Sequence, residues 1–335
     1  MKKIINKPEN FVDETMTGIL YAYGNKVTFL NGDKRILIKN TETKPGKVGI
    51  VTAGGSGHLP VFLGYVGEGM IDGCAIGNVF ASPSATKMAD MIRACDYGSG
   101  VLCLYGNYGG DNLNFEMATE EVEFEDIKTT MVRVKDDVAS SSKENAEKRR
   151  GVAGMVYAFK IAGAAADNMM DLDGVTNVVK KALDNIRTMG VALTPCIVPE
   201  VGKPTFTIED NQMEIGMGIH GEPGIEVGEL KTADEIVDIM MEKIIGDIEL
   251  NEGDEVSIMI NGLGATPLEE QLICYKRVYE ILEGKGVKIF MPHIGEFATS
   301  MEMSGLSITL FKLDEELKTL LRQPATTPFY TNYNK

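Results

Sequence analysis

The sequence predicts an α/β fold in two α/β domains, each a largely parallel or mixed sheet flanked by helices. Three observations carry that prediction. With 335 residues the chain exceeds one ordinary core and suffices for two domains of roughly 100 to 200 residues each. Its composition, 44% hydrophobic and 24% charged, is that of a globular protein and excludes a disordered or fibrous class. Short apolar runs alternate along the chain with longer stretches of helical periodicity, which is how layered sheets and helices are written in sequence.

The strand-like runs are Lys47–Thr52, Val101–Tyr105, Thr130–Val134, Val256–Ile260, Val287–Phe290 and Leu306–Leu310. Between them stand helix candidates with start and stop signals: Ser82-Pro83 opening a helix to Cys95, the Ala-rich Val152–Asp167, Asp173–Met189 closing at Gly190, Thr232–Ile245 closing at Gly246, and Pro267–Leu282 closing at Gly284. Helices on the faces of mostly parallel sheets are expected. The second and third of these helices stand back to back, after which Val191–Pro199 resumes as extended chain, so the domain boundary is placed near residue 188, giving domains 1–188 and 189–335. The polar, Ser-rich segment from Lys135 to Arg150 reads as an exposed loop leading into a helix start at Arg149-Arg150-Gly151. The tail from Gln323 to Lys335 reads as an extended strap on a domain or a frayed end.

Charge narrows the function. Lys and Arg number 33 against 49 Asp and Glu, a net charge of −16, which offers no field to gather phosphate backbones or anionic lipid. Nucleic acid and membrane are therefore not expected partners. No apolar run reaches a membrane span, and the start lacks the apolar core of a signal peptide, so a cytoplasmic location is expected. The five cysteines (Cys74, Cys95, Cys103, Cys196, Cys274) are scattered, lack a C-x-x-C pair and read as buried thiols with no metal site.

Only three histidines occur. His58 closes Ala53-Gly54-Gly55-Ser56-Gly57-His58-Leu59-Pro60, just after the Lys47–Thr52 strand. In open α/β sheets ligands bind at strand carboxyl ends, and consecutive glycines let backbone N–H groups approach an oxygen-rich ligand. The competing reading is a tight turn whose histidine only caps the next segment. A G-x-S-x-G elbow would need glycine at His58, and no G-x-x-x-x-G-K-[ST] loop is present, so neither a serine hydrolase nor a Walker loop is written here. His220 stands on Gly218-Ile219-His220-Gly221-Glu222-Pro223-Gly224. A neutral imidazole there is a nucleophile for a carbonyl carbon or an acceptor for a proton; alone, it also reads as a hydrogen-bonded turn histidine. His293, without a glycine platform, reads as structural. Asp111, in Asn107-Tyr108-Gly109-Gly110-Asp111-Asn112, reads either as a helix cap or as a carboxylate that accepts a hydroxyl proton. A third loop, Asn261-Gly262-Leu263-Gly264-Ala265-Thr266-Pro267, falls short of a dinucleotide fingerprint and reads as an anion-binding or subunit-contact turn.

Gly-Gly-Ser-Gly-His at 54–58, Phe80-Ala-Ser-Pro-Ser, Asn107-Tyr-Gly-Gly-Asp, Arg149-Arg-Gly-Val-Ala, Gly202-Lys-Pro-Thr-Phe, Gly218-Ile-His-Gly-Glu-Pro-Gly, Leu263-Gly-Ala-Thr-Pro and Ser307-Ile-Thr-Leu, in this order over nearly the whole chain, resemble the dihydroxyacetone kinase family, and within it the substrate-binding K subunit. The resemblance implies a two-domain architecture also shared by the DegV lipid-binding proteins. It implies a covalent hemiaminal between His220 and a ketone carbon, action of His58 and Asp111 on the substrate hydroxyl, and substrate oxygens held by Gly55, Ser56 and Gly57. It also implies a homodimer that binds no nucleotide itself and needs a separate L subunit carrying ADP or ATP with Mg. That subunit is served either by free ATP or by a phosphotransferase-system M subunit.

Three departures from the family's pattern stand out: Leu59 replaces the usual Glu, Gly106 replaces a lysine that contacts substrate, and Gly77-Asn78-Val79-Phe80 replaces Gly-Glu-Ile-Phe. Loss of the lysine is expected to open space, fitting a longer ketose such as erythrulose, or else a paralogue that senses ketose without phosphorylating it. With His58, Asp111 and His220 all retained, the kinase role is preferred to the non-catalytic sensor. A free-standing lipid binder is disfavoured by the polar histidine loops.

Overall fold

The computed structural model describes residues 2–333, and its chain divides into two compact units. The first comprises the chain up to Val134, Met155–Ala182 and everything from Leu317 onward; the second comprises Lys135–Gly154 and Leu183–Glu316. The division is thus not the single cut near residue 188: the 135–154 segment belongs to the second unit, and the tail returns to the first.

In chain order the first unit contains α1 (Phe11–Tyr23), β1 (Val27–Phe29), β2 (Ile36–Lys39), β3 (Gly49–Ser56), β4 (Gly73–Val79), α2 (Ala85–Cys95), β5 (Val101–Gly106), α3 (Gly109–Glu123), β6 (Thr129–Val134), α4 (Met155–Asp167) and most of α5 (Leu172–Asp184). Its sheet runs β1-β2-β4-β3-β5-β6, with β4, β3, β5 and β6 parallel and β1 and β2 antiparallel. One face, through Val51, Ala53, Cys103 and Tyr105, packs on Met88, Ile92, Phe115 and Val122 of α2 and α3. From the other side α4, buried from Met155 to Ala166, packs on β3 and β5. Strand β3 runs on through Gly54, Gly55 and Ser56, four residues beyond the predicted end at Thr52. Beyond Val51 the pairing is with β4 alone, Gly54 opposite Ile76 and Ser56 opposite Val79, and that pairing overrides the glycines' weak strand preference.

The second unit contains β7 (Ile186–Thr194), β8 (Gln212–Ile215), β9 (Glu226–Glu229), α6 (Ala233–Asp247), β10 (Glu255–Asn261), α7 (Leu268–Gly284), β11 (Lys288–Gly295) and β12 (Ser304–Leu313). Its sheet order is β11-β10-β12-β7-β8-β9. Only β10 and β11 are parallel, so of the two arrangements expected, largely parallel or mixed, this sheet is the mixed one. Helix α6 starts with a reciprocal cap between Thr232 and Glu235 and, with α7, buries Ile236, Met240, Ile244, Cys274 and Val278 against the sheet. The helix predicted to reach Met189 stops at Asp184, because Ile186–Met189 pairs with β12.

The tail, α8 (Glu315–Arg322), β13 (Ala325–Thr326) and β14 (Thr331–Asn332), is tied down from Leu317 onward. Lys160 of α4 donates to the Leu320 carbonyl (2.9 Å), Thr326 N–H donates to the Glu68 carbonyl (2.9 Å), and Thr327 Oγ1 donates to the Gly64 carbonyl (2.8 Å). The strap reading thus holds for this stretch; Asn334 and Lys335 lie outside the described residues.

A buried ion cluster fixes the root of β3. Asp72, 1% exposed, pairs with Lys39 (2.6 Å) and Lys47 (2.7 Å) and accepts the Ile50 N–H (2.8 Å). Burial disfavours the Lys47 ammonium, yet Asp72 and then Asp167 outweigh it and hold its pKa above the usual value. Replacing Asp72 by Ala would take the carboxylate from Lys39 and leave Lys47 only the more distant Asp167 (3.5 Å). The variant should lose about 3–5 kcal/mol of unfolding free energy, read from urea denaturation; an unchanged midpoint would show the cluster to be dispensable.

Candidate functional site

In the first unit the site is built where β3 and β5 end. They are neighbouring parallel strands, with Gly49, Ile50 and Val51 opposite Val101, Leu102 and Cys103, so the segments leaving them emerge side by side. His58 follows β3 and is only 1% exposed. Phe80 stacks on its ring (centroids 4.7 Å, planes 24° apart) and Phe62 meets it edge-on at 6.0 Å. Both phenylalanines have positive φ, 58° and 66°, a conformation that bulky residues adopt only when the surroundings impose it. Ser56 Oγ donates to the Gly77 carbonyl (2.8 Å) and Phe80 N–H to the Ser56 carbonyl (3.0 Å), which binds the β3 end to the β4 end. Gly55 is required by contact: a Cβ there would lie 2.7 Å from Ala81 N.

Asp111 lies in the first turn of α3 but is not its cap; Tyr108 occupies the N-cap and makes no side-chain capping bond. The Asp111 carboxylate is 5% exposed, and its charge adds to burial in pushing the Cys74 thiol of β4 well above its usual pKa. The same turn is braced by Asn112 Nδ2 donating to Asn107 Oδ1 (3.1 Å) and Asn114 Nδ2 donating to the Pro83 carbonyl (2.7 Å). At Gly106 the Cβ position is tight: a Cβ there would stand 3.1 Å from Tyr108 Cε2 and 3.2 Å from Met155 Sδ, so either side chain would have to give by a few tenths of an ångström.

His220 lies in the second unit, on the turn between β8 and β9. Its Nδ1 is 2.6 Å from Glu222 Oε1, and its backbone N–H donates to Glu222 Oε2 (2.9 Å). A carboxylate partner assigns the proton to Nδ1, and that leaves the lone pair on Nε2. Burial raises the Glu222 pKa, but the hydrogen bond and charge of His220 outweigh it and bring the carboxyl down to about 2. Glu222 is therefore ionised at neutral pH. Gly224 N–H donates to Glu214 Oε1 (2.7 Å), closing the turn's far end.

The structure gathers Gly55, Ser56, Gly57, His58, Gly106 and Asp111 at the strand ends of the first unit, while His220 stands in the second with Glu222. Sequence reasoning missed Glu222, Phe62 and Phe80 as working residues. Glu222 and Phe80 lay inside quoted motifs, and a carboxylate two residues beyond a histidine on a glycine turn was the available signal. The remaining candidates separate from these. His293 sits on β11 beside Phe297, and burial lowers its pKa to about 4. The third glycine loop is held by Asn261, which donates to the Ala298 carbonyl and Ser307 Oγ and accepts the Phe297 and Ala298 N–H groups. All five cysteines are buried thiols outside any disulfide. Among the described residues no cluster of His, Cys, Asp or Glu is arranged to hold a metal, and no helix is long and apolar enough to cross a membrane.

Residues 17–329 match the Dak1 domain family. The chain is 44% identical over 330 residues to PTS-dependent dihydroxyacetone kinase 2, dihydroxyacetone-binding subunit DhaK, of Listeria innocua, covering 98% of this chain and 99% of that one. It is 40% identical to the L-erythrulose 1-kinase of Mycolicibacterium smegmatis, covering 98% of this chain and 58% of that longer protein. Among solved structures, the dihydroxyacetone kinase operon co-activator Dha-DhaQ superposes with a TM-score of 0.89 at 31% identity, over 96% of this chain and 98% of that one.

The depressed Glu222 pKa has a signed consequence. Its folded value, about 2, lies below the unfolded 4.5, so its contribution to stability is present above pH 4.5 and is lost as pH falls toward 2. Urea midpoints taken through that window should fall more steeply for the wild type than for Glu222→Gln; parallel curves would remove the ionised pair from the turn.

Proposed function

The chain belongs to the dihydroxyacetone kinase family through its Dak1 domain, and from that premise we propose that it is the ketose-binding K subunit of a dihydroxyacetone-type kinase, a phosphotransferase acting on an alcohol group. The observation that carries the mechanism is the 2.6 Å contact between His220 Nδ1 and Glu222 Oε1. With the proton held on Nδ1, the Nε2 lone pair attacks the ketone carbon. The N–C bond forms as the C=O π bond opens, and the carbonyl oxygen takes a proton from water. Positive charge builds on the ring as this happens, and the ionised Glu222 stabilises it; the Nδ1 proton returns through Glu222 to the hydroxide left by that water, so the neutral hemiaminal forms with no net change in protons. Capture selects short ketoses over glycerol, which has no carbonyl to attack. His58 and Asp111 then act on the substrate hydroxyl as base and orienting carboxylate, and the Gly55-Ser56-Gly57 backbone holds the substrate oxygens. Phosphoryl transfer needs little else from this chain than positioning.

The nucleotide and its Mg belong, in this reading, to an L-type partner subunit, recharged either by ATP or by a phosphotransferase-system M subunit. The K subunit works as a cytoplasmic homodimer. Dihydroxyacetone is the first substrate and erythrulose the alternative. A second reading, a ketose sensor that regulates transcription through a protein partner, is supported by the likeness to the operon co-activator; retention of His58 and Asp111 favours the kinase.

Three variants test the roles. His220→Ala should abolish the ketose adduct seen by intact-protein mass spectrometry, and an adduct of wild-type occupancy would overturn covalent capture. His58→Ala should keep the adduct and stop phosphorylation in the presence of the L-type subunit. Asp111→Ala should lose turnover with little change in melting temperature, whereas a large fall would assign the carboxylate to folding. Adduct without turnover in the wild type, beside a partner active with another K subunit, would favour the sensor.

A further inference from the structure

Arg149 and Arg150 end the 135–154 segment of the second unit and are not used by the chemistry above. They face opposite ways. Arg149, 2% exposed, donates from Nη1 and Nη2 to Asp247 (2.9 and 2.6 Å) and from Nε to the Ser141 carbonyl (2.9 Å), which pins the segment to α6. Arg150 reaches toward the His220 turn. Its Nε donates to Asp137 Oδ2 (3.0 Å), and its Nη2 donates to the Gly216 carbonyl (2.8 Å). Asp137 is itself 2% exposed, and its Oδ1 accepts the Ala139 N–H (3.0 Å).

Gly216 is the hinge of the turn: it has φ +82°, and its N–H donates to the Gly190 carbonyl of β7 (2.7 Å). Two residues on, Gly218 N–H donates to the Glu222 carbonyl (3.0 Å). A Cβ on Gly218 would lie 2.1 Å from Glu222 Oε2 and 2.5 Å from Arg150 Nη1, so the carboxylate and the guanidinium crowd one face of this glycine. One planar, permanently charged group thus grips the start of the turn and stands beside the carboxylate that sets the histidine's tautomer. A lysine, a single point charge, could not span Asp137 and Gly216 in the same way.

We propose that Arg150, clamped by Asp137, is a positioning residue for covalent capture: it fixes the Gly216–Glu222 turn so that Glu222 holds the Nδ1 proton of His220 and Nε2 faces the ketone. The proposal rests on the reading of His220 as the capturing nucleophile.

Two readouts on the full chain test it. The first is the rate of adduct formation with dihydroxyacetone. The second is the His220 tautomer, read by NMR of the imidazole nitrogens without ligand, which is independent of whether capture occurs at His220. Arg150→Met should slow capture by about 10-fold or more and mix the tautomers, with Arg150→Lys recovering stability but not the capture rate. Arg149→Met, the comparison, should lower the melting temperature and leave the tautomer of the folded fraction unchanged. If Arg150→Met fails to fold, Arg150→Gln, which keeps a donor for Gly216 but no charge, serves in its place. Wild-type capture and an unmixed tautomer in the folded Arg150 variant would overturn the proposal. Failure of His220→Ala to abolish capture would instead overturn the reading beneath it, whatever the tautomer does.

Discussion

Parallel pairing of β3 with both β4 and β5 is the constraint on which the first unit's site depends. Parallel strands end at the same edge, so three chain segments must turn there within a few ångströms of one another, and each needs somewhere for its backbone groups to go. The sequence meets that demand with glycine and short polar side chains, and the aromatic rings of Phe62 and Phe80 close around His58 as a result. Asp111 arrives by the same logic, because α3 must begin where β5 stops. The second unit solves a different problem. Its sheet is mainly antiparallel, and His220 sits on a connection between two short strands, so its orientation comes from the hydrogen bonds of the turn and not from a strand end.

Fixed charge does much of this work in a protein whose net charge is strongly negative. Asp72 between Lys39 and Lys47, Asp247 between Arg149 and Arg187, and Asp137 against Arg150 are local pairings taken out of water. Such pairs add little net stability compared with apolar packing, but breaking one is costly, so they specify where segments lie. That distinguishes them from the exposed pairs on α7, such as Lys276 with Glu280, which are screened by solvent.

What the sequence revealed was what depends on neighbours along the chain. The α6 start was legible because Thr232 and Glu235 cap each other across one turn, and the histidine loops were legible because glycine clusters around a rare residue. What stayed hidden depends on distant partners. Ile186–Met189 has a helix-compatible pattern and became strand only because β12 lies beside it. The stretch from Lys135 to Arg150 looked like solvated loop because its Ser and charged residues are local facts, whereas its anchors are not: Thr188 N–H donates to the Asp136 carbonyl, and Asp247, which receives Arg149, is far along the chain. The tightness at the Gly106 Cβ position was hidden for the same reason, since Met155 reaches it from α4.

The discontinuous partition carries a consequence for biosynthesis. All of the second unit's chain leaves the ribosome before Leu317, so that unit can fold while the first is still missing α8 and the strap that Lys160, Glu68 and Gly64 hold in place. During translation, the strand ends bearing His58 and Asp111 therefore wait for supporting pieces that follow the whole of the second unit in the chain, so the first unit cannot be completed before the second has been synthesised.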